Sequence, residues 1–139
     1  MSRPLSSGLL IRVLVALEVF GALSAMIGAV FALALHGGGV PVEYLANSLF
    51  SSFVVPGLVL GIVVGGTQTV AAVALVARRQ HALLLSAVAG FGMLIWIFVE
   101  LAVIQHYSWL QGVYFAHGVL ELLLVLALLG VAPSVATPM

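Results

Sequence analysis

The sequence predicts an all-α integral membrane protein: one domain, residues 1–139, in which four transmembrane helices form a bundle with both chain ends on the cytoplasmic side. Three observations carry this. The chain is 64% hydrophobic and only 6% charged, whereas soluble domains carry about 25% charged residues. Four apolar segments each reach the roughly 20 residues that cross a hydrocarbon core of about 30 Å, and as continuous Leu/Ala/Val runs they lack the period-two alternation of a membrane barrel. All four arginines, Arg3, Arg12, Arg78 and Arg79, fall on one side of such a bundle, and the positive-inside rule makes that side the cytoplasm.

Span one covers about Leu9 to Leu35. Arginines precede it as in a signal peptide, but its apolar run exceeds an h-region of about 7–15 residues, so it reads as an uncleaved span. His36-Gly37-Gly38-Gly39 and Pro41 end it, because glycine loosens a helix end and proline cannot continue one. An outer loop to Val55 follows. Within it Val42–Phe50 reads either as a short interfacial helix, with Tyr44 and Phe50 at headgroup level, or as plain connector. Span two covers Pro56 to Ala77, and Arg78-Arg79 joins it to span three, Ala82 to Ile104. The outer turn Gln105–Trp109 carries Tyr107 and Trp109 as aromatic anchors. Span four runs from Leu110 to Val131, and Pro133 and Pro138 break the tail beyond Gly130.

Helices in lipid associate through close backbone approach, so small residues spaced by four mark contact faces. Span two carries Gly57, Gly61 and Gly65, with Thr69 following, a glycine-zipper pattern; span one offers Gly21, Ala25, Gly28 and Ala32, and span three Ala82, Ser86 and Gly90. Two readings stay open: tight packing within one bundle, or an oligomer or larger membrane complex built on Gly57, Gly61 and Gly65.

An ionisable group at membrane depth is costly and is a candidate site by default. Counting about 1.5 Å per residue, Glu18 lies roughly 14 Å from the inner start of span one, Glu121 about 16 Å from the outer start of span four, and Gln68 about 18 Å from the outer end of span two. All three reach one level. Tyr114, His117 and Glu121 share a face of span four at spacings of three and four, and Gly118 leaves room beside them. Gly92, Trp96 and Glu100 form a stripe on span three, with Glu100 near the outer surface. The candidate ligand- or proton-binding residues are therefore Glu18, Gln68, Trp96, Glu100, Tyr114, His117 and Glu121, arranged as a pocket open to the outside. The alternative for each is polar glue between helices. His36, His81 and His106 sit at span ends, where histidine is commonplace.

Much chemistry is excluded. A neutral chain with four basic residues cannot neutralise a run of phosphates, so no nucleic acid is expected. Cysteine is absent, which removes disulfides, thiolate metal sites and cysteine nucleophiles. His117 and Glu121, with Glu18 as a third ligand, would leave a metal site poorly filled, and no H-E-x-x-H pair is present. No metal or cofactor is expected, because haem needs a second deep histidine and there is neither a G-x-S-x-G elbow nor a phosphate loop, Gly65-Gly66-Thr67 having no lysine beside it. What remains is a non-enzymatic protein binding a lipophilic small molecule or a partner membrane protein, a proton-coupled transporter of small amphiphiles using Glu18 and Glu121, or an embedded isomerase or hydrolase acting on a lipid or isoprenoid.

The stretch Val15-Ala16-Leu17-Glu18-Val19 resembles the small multidrug-resistance transporters, in this stretch alone, since their later aromatic and glycine motifs are not matched. A broader resemblance covers Phe53 to Leu129. Val55-Pro56-Gly57-Leu58, Val64-Gly65-Gly66, Arg78-Arg79, Ile95-Trp96-Ile97-Phe98-Val99-Glu100 and Ser108-Trp109-Leu110-Gln111 are similar to a group of uncharacterised four-span proteins of high-GC Gram-positive bacteria. That resemblance implies a bacterial cytoplasmic (inner) membrane protein and brings no activity with it.

Overall fold

A computed structural model describes residues 7–34, 43, 52–104 and 109–130. Arg3, the possible interfacial helix around Tyr44 and Phe50, the outer histidines His36 and His106, Tyr107, and the tail with Pro133 and Pro138 lie outside the described residues. Four helices make up the rest: α1 (Ser7–Ala34), α2 (Val54–Val76), α3 (Ala82–Ile104) and α4 (Trp109–Leu128). Each is long and apolar enough to cross a membrane. Their ends differ from the expected limits by three residues at most. The largest difference is at α4, which stops at Leu128 because Gly130 turns into the left-handed region, with φ 77°.

Each helix packs against its two neighbours around a four-membered ring, α1 on α2 and α4, and α3 on α2 and α4. The distribution of side chains is inverted relative to a soluble protein. Most of the buried apolar residues are small, among them Ala25, Ala29, Ala71, Ala72, Ala74 and Ala89, whereas Ile62 is 69% exposed, Phe98 63% and Val76 71%. Large apolar side chains outside and small or polar ones inside is the arrangement that lipid favours, since lipid removes any penalty for exposing leucine and rewards close helix approach. The start of α1, the end of α2, the start of α3 and the end of α4 meet at one end of the bundle, where Leu14, Ala74, Leu75, Ala82 and Val125 form a cluster. Arg12, Arg78 and Arg79 are exposed at that end.

The glycines of α2 lie against α1 of the same chain. A methyl group on Gly57 would stand 2.6 Å from Ala32 Cβ, and one on Gly61 would stand 2.9 Å from Ala29 Cβ. An oligomer built on this face would have to displace α1. Gly57→Leu should lower the thermal unfolding midpoint in detergent, at a cost of about 1–3 kcal/mol for overpacking. Gly66 has open space around it, so Gly66→Ala should be neutral or gain up to about 1 kcal/mol from helix propensity. Equal losses for the two substitutions would argue against Gly57 as a contact.

Between Gly57 and Gly65, α2 widens into a π-helical segment, Leu60–Val64. Glycines four apart drift around an α-helix of 3.6 residues per turn, and the wider i→i+5 turn takes up that drift. Thr67 uses the segment's carbonyls, Oγ1 donating to Val63 at 2.7 Å and Val64 at 3.1 Å, and Thr69 Oγ1 donates to Gly65 just beyond the segment at 2.7 Å. Thr69 itself faces outward and does not extend the stripe. Once the ordinary α pitch resumes, Gln68, Ala71 and Ala72 occupy the buried side.

The turn from α2 to α3 closes as a Schellman motif, with Arg79 N–H on the Ala74 carbonyl at 2.9 Å and Arg78 N–H on that of Leu75 at 3.2 Å. Arg78 takes the left-handed position, φ 55°, that glycine occupies without strain. Arg78→Gly should therefore raise the unfolding midpoint by the equivalent of about 1 kcal/mol; a drop would show that the arginine side chain matters more than its backbone.

Candidate functional site

The bundle interior is layered. Above the Leu14 cluster lies a polar layer, and above that an apolar one made of Ala25, Val64 and Met93 with Trp96 and Tyr114 packed against it. Every helix contributes to the polar layer: Glu18 from α1, Gln68 from α2, Ser86 from α3, and His117 and Glu121 from α4. Glu18, Gln68, Ser86 and Glu121 are 0% exposed and His117 is 6% exposed.

Gln68 is the hub. Its Nε2 donates to Glu121 Oε1 at 2.8 Å and to the Ala89 carbonyl at 3.2 Å. The amide orientation is fixed, because a flip would put an oxygen against a carbonyl oxygen. His117, one turn before Glu121, reaches across to α1, its Nε2 standing 2.6 Å from the Leu17 carbonyl, while its Nδ1 is 3.5 Å from Glu121 Oε1. Gly21 makes this crossing possible. A methyl group there would stand 2.8 Å from Gln68 Oε1 and 2.9 Å from His117 Cε1. On the far side α3 and α4 touch backbone to backbone, where a methyl on Gly118 would stand 3.2 Å from the Gly90 carbonyl oxygen. The Glu18 carboxyl lies beside the Ser86 hydroxyl and within electrostatic reach of Glu121.

Six buried side-chain atoms have no hydrogen-bond partner in the protein: Glu18 Oε1 and Oε2, Gln68 Oε1, Ser86 Oγ, His117 Nδ1 and Glu121 Oε2. All belong to this layer. The layer is short of donors. Both Gln68 amide hydrogens and the His117 Nε2 hydrogen are used, so only the Ser86 hydroxyl and any carboxyl protons are left to serve five acceptors. Buried polar atoms left unmatched cost about 1–3 kcal/mol each, and such a deficit is made good by protons, by buried water or by a ligand that donates hydrogen bonds.

The structure thus brings Glu18, Gln68, His117 and Glu121 together. Tyr114 and Trp96 stand in the apolar layer above, and Phe20 stacks on the Tyr114 ring at 6.0 Å and lies 5.8 Å from His117. Phe20 is 49% exposed at the bundle surface, and Tyr114 and Trp96 are half-buried. Glu100 is half-buried and remote, about 16 Å along α3 from Ala89 at 1.5 Å per residue. Among the described residues no group of three or more His, Asp or Glu is placed to hold a metal ion. Ser86 is the member that sequence reasoning counted only as a small packing residue, although its hydroxyl and its spacing of three before Ala89 place it on the same inward face. The Leu17 and Ala89 carbonyls leave no trace in side-chain patterns. A separate groove, lined by Ile97, Phe98, Leu101, Gln111, Gly112 and Phe115, lies on the α3–α4 face nearer the other end. No family model, curated protein or solved structure matches this chain.

Proposed function

We propose that this chain is an integral membrane protein that exchanges protons at its central polar layer, where the carboxyls Glu18 and Glu121 lie, for a small amphiphile with a positively charged, hydrogen-bond-donating head. The observation that carries this is the donor deficit of the polar layer. Five unmatched acceptors within four apolar helices suit a proton, or a head group offering several N–H donors, and the two would compete for the same lone pairs. A guanidinium head is the most suitable probe, since it stays charged at all accessible pH and pairs with carboxylates through two parallel N–H bonds.

The test uses purified protein in liposomes enclosing a pH-sensitive dye, with butylguanidinium added outside. Exchange predicts a rise in internal pH beyond that of protein-free vesicles, lost in Glu18→Gln, whose amide keeps the shape of the side chain and cannot release the proton. No pH change, together with unaltered tryptophan fluorescence on addition of the probe, would overturn the proposal. A binding protein without transport is the second reading, favoured by the half-buried Tyr114 and Trp96 rings packed against the apolar layer above the polar one. A response of Trp96 without proton movement selects it. Localisation in a bacterial cytoplasmic membrane, with both ends inside, belongs to the same proposal. Reporter fusions at Arg79 and at the C-terminus should both report cytoplasm, and a periplasmic signal from either would reverse the topology.

A further inference from the structure

The two buried carboxyls are not equivalent. We infer that His117 and Glu121 form a proton-binding pair that holds one proton between the imidazole Nδ1 and the carboxyl, with the Leu17 carbonyl fixing the imidazole tautomer, and that Glu18 stands outside this pair as the exchanging carboxyl. The assignment of roles rests on the proton-exchange reading above; the pair itself rests on the His117–Leu17 hydrogen bond and on the 3.5 Å approach of Nδ1 to Glu121 Oε1.

The argument begins at Leu17. Its carbonyl oxygen can only accept, so the 2.6 Å contact from His117 Nε2 requires a hydrogen on Nε2. In the neutral ring Nδ1 then carries a bare lone pair, and that lone pair faces Glu121 Oε1 at 3.5 Å. Were the carboxyl also ionised, lone pair would face lone pair in a site buried within the bundle. One proton removes the conflict, on the carboxyl as an acid donating to Nδ1, or on Nδ1 as an imidazolium facing a carboxylate. Moving it from oxygen to nitrogen changes neither the proton count nor the net charge of the pair. Gln68 secures the arrangement, since its amide donates to Oε1 while tied to the Ala89 carbonyl, which holds the carboxyl toward His117.

The groups around the pair are few. From α1 there is Glu18, from α2 the neutral Gln68, from α3 Ser86, and from α4 the half-buried Tyr114 one turn above. Arg12, Arg78 and Arg79 are exposed at the bundle end. Glu18 has neither the imidazole nor the amide; beside it stands only the Ser86 hydroxyl, which can donate to a carboxylate or accept from a protonated carboxyl. A group without a fixed proton partner is the one able to trade its proton for a ligand, while His117 and Glu121 keep theirs as a positioned neutral pair.

The test is nitrogen NMR of the full chain in lipid nanodiscs, with His36, His81 and His106 replaced by glutamine so that labelled His117 is the sole histidine. The expected spectrum has Nε2 protonated throughout. It also has an Nδ1 resonance that shifts in Glu121→Gln, and it is unchanged in Glu18→Gln. A ring protonated on Nδ1 with bare Nε2, or an Nδ1 resonance that ignores Glu121→Gln, overturns the pair. Because the tautomer is read in the unmutated cluster, that half of the result does not depend on how well the Glu121 and Glu18 variants fold. The two readings fail separately: loss of liposome exchange with the Nε2–H tautomer intact removes only the proposed function, and exchange that still depends on Glu18 with the wrong tautomer removes only the pair.

Discussion

Replacing Glu121 with leucine is expected to destabilise the bundle more than any other single change in its polar layer. The substitution leaves one Gln68 amide hydrogen without its acceptor and turns His117 Nδ1 toward a methyl group, in a site buried within the bundle. At about 1–3 kcal/mol for each buried group left unmatched, the combined cost is about 2–6 kcal/mol. That is a large part of the stability of a typical domain. Glu121→Gln should cost far less, because its amide can accept from Gln68 and donate to Nδ1 in place of the proton. Thermal unfolding of the two variants side by side in detergent checks this. Equal midpoints would mean that Gln68 and His117 find other partners and that Glu121 is not what holds them.

The second large effect is expected at Gly21, a position with no chemistry of its own. Leucine there would force its side chain into the space now held by Gln68 Oε1 and His117 Cε1, whose side chains are held by hydrogen bonds to the Ala89 and Leu17 carbonyls. Neither can yield without breaking a bond, so overpacking of about 1–3 kcal/mol adds to the loss of the His117–Leu17 contact. Gly21→Leu should thus lower both stability and proton exchange, whereas Gly8→Leu, with open space around Gly8, should alter neither. Unaffected exchange in Gly21→Leu would show that the contact between His117 and α1 is dispensable.

What could be read from the sequence follows from which physics is one-dimensional. Helix count and limits come from hydropathy and length alone, and the common level of Glu18, Gln68 and Glu121 follows from rise per residue. Facing is harder. Tyr114 shares a face with His117 and Glu121 by spacing, yet one turn higher that face meets the apolar layer rather than the carboxyls. Glu100 and Trp96 were tied to the site by their stripe on α3, but at the depth of the carboxyls α3 contributes Ser86 and the Ala89 carbonyl. The π-helical segment has no compositional mark beyond the four-residue spacing of its glycines. The left-handed Arg78 stands where a glycine would have announced the turn.

The polar layer also imposes an order on biosynthesis. Glu18 enters the bilayer with α1, whereas its neighbours come with the helices that follow it: Gln68, then Ser86, then His117 and Glu121. Until α4 is inserted, the nascent chain carries a carboxyl whose surroundings are incomplete. Inserting an acidic side chain at the centre of a helix costs roughly 2.5–3.5 kcal/mol on translocon-derived scales, and the apolar length of α1 outweighs that cost for insertion without providing a partner. Chains truncated before Trp109 should therefore be inserted yet unfinished, with an acidic group open to lipid that membrane quality control can recognise. The arrival of α4 closes the layer, so insertion of α4 and burial of the carboxyl coincide.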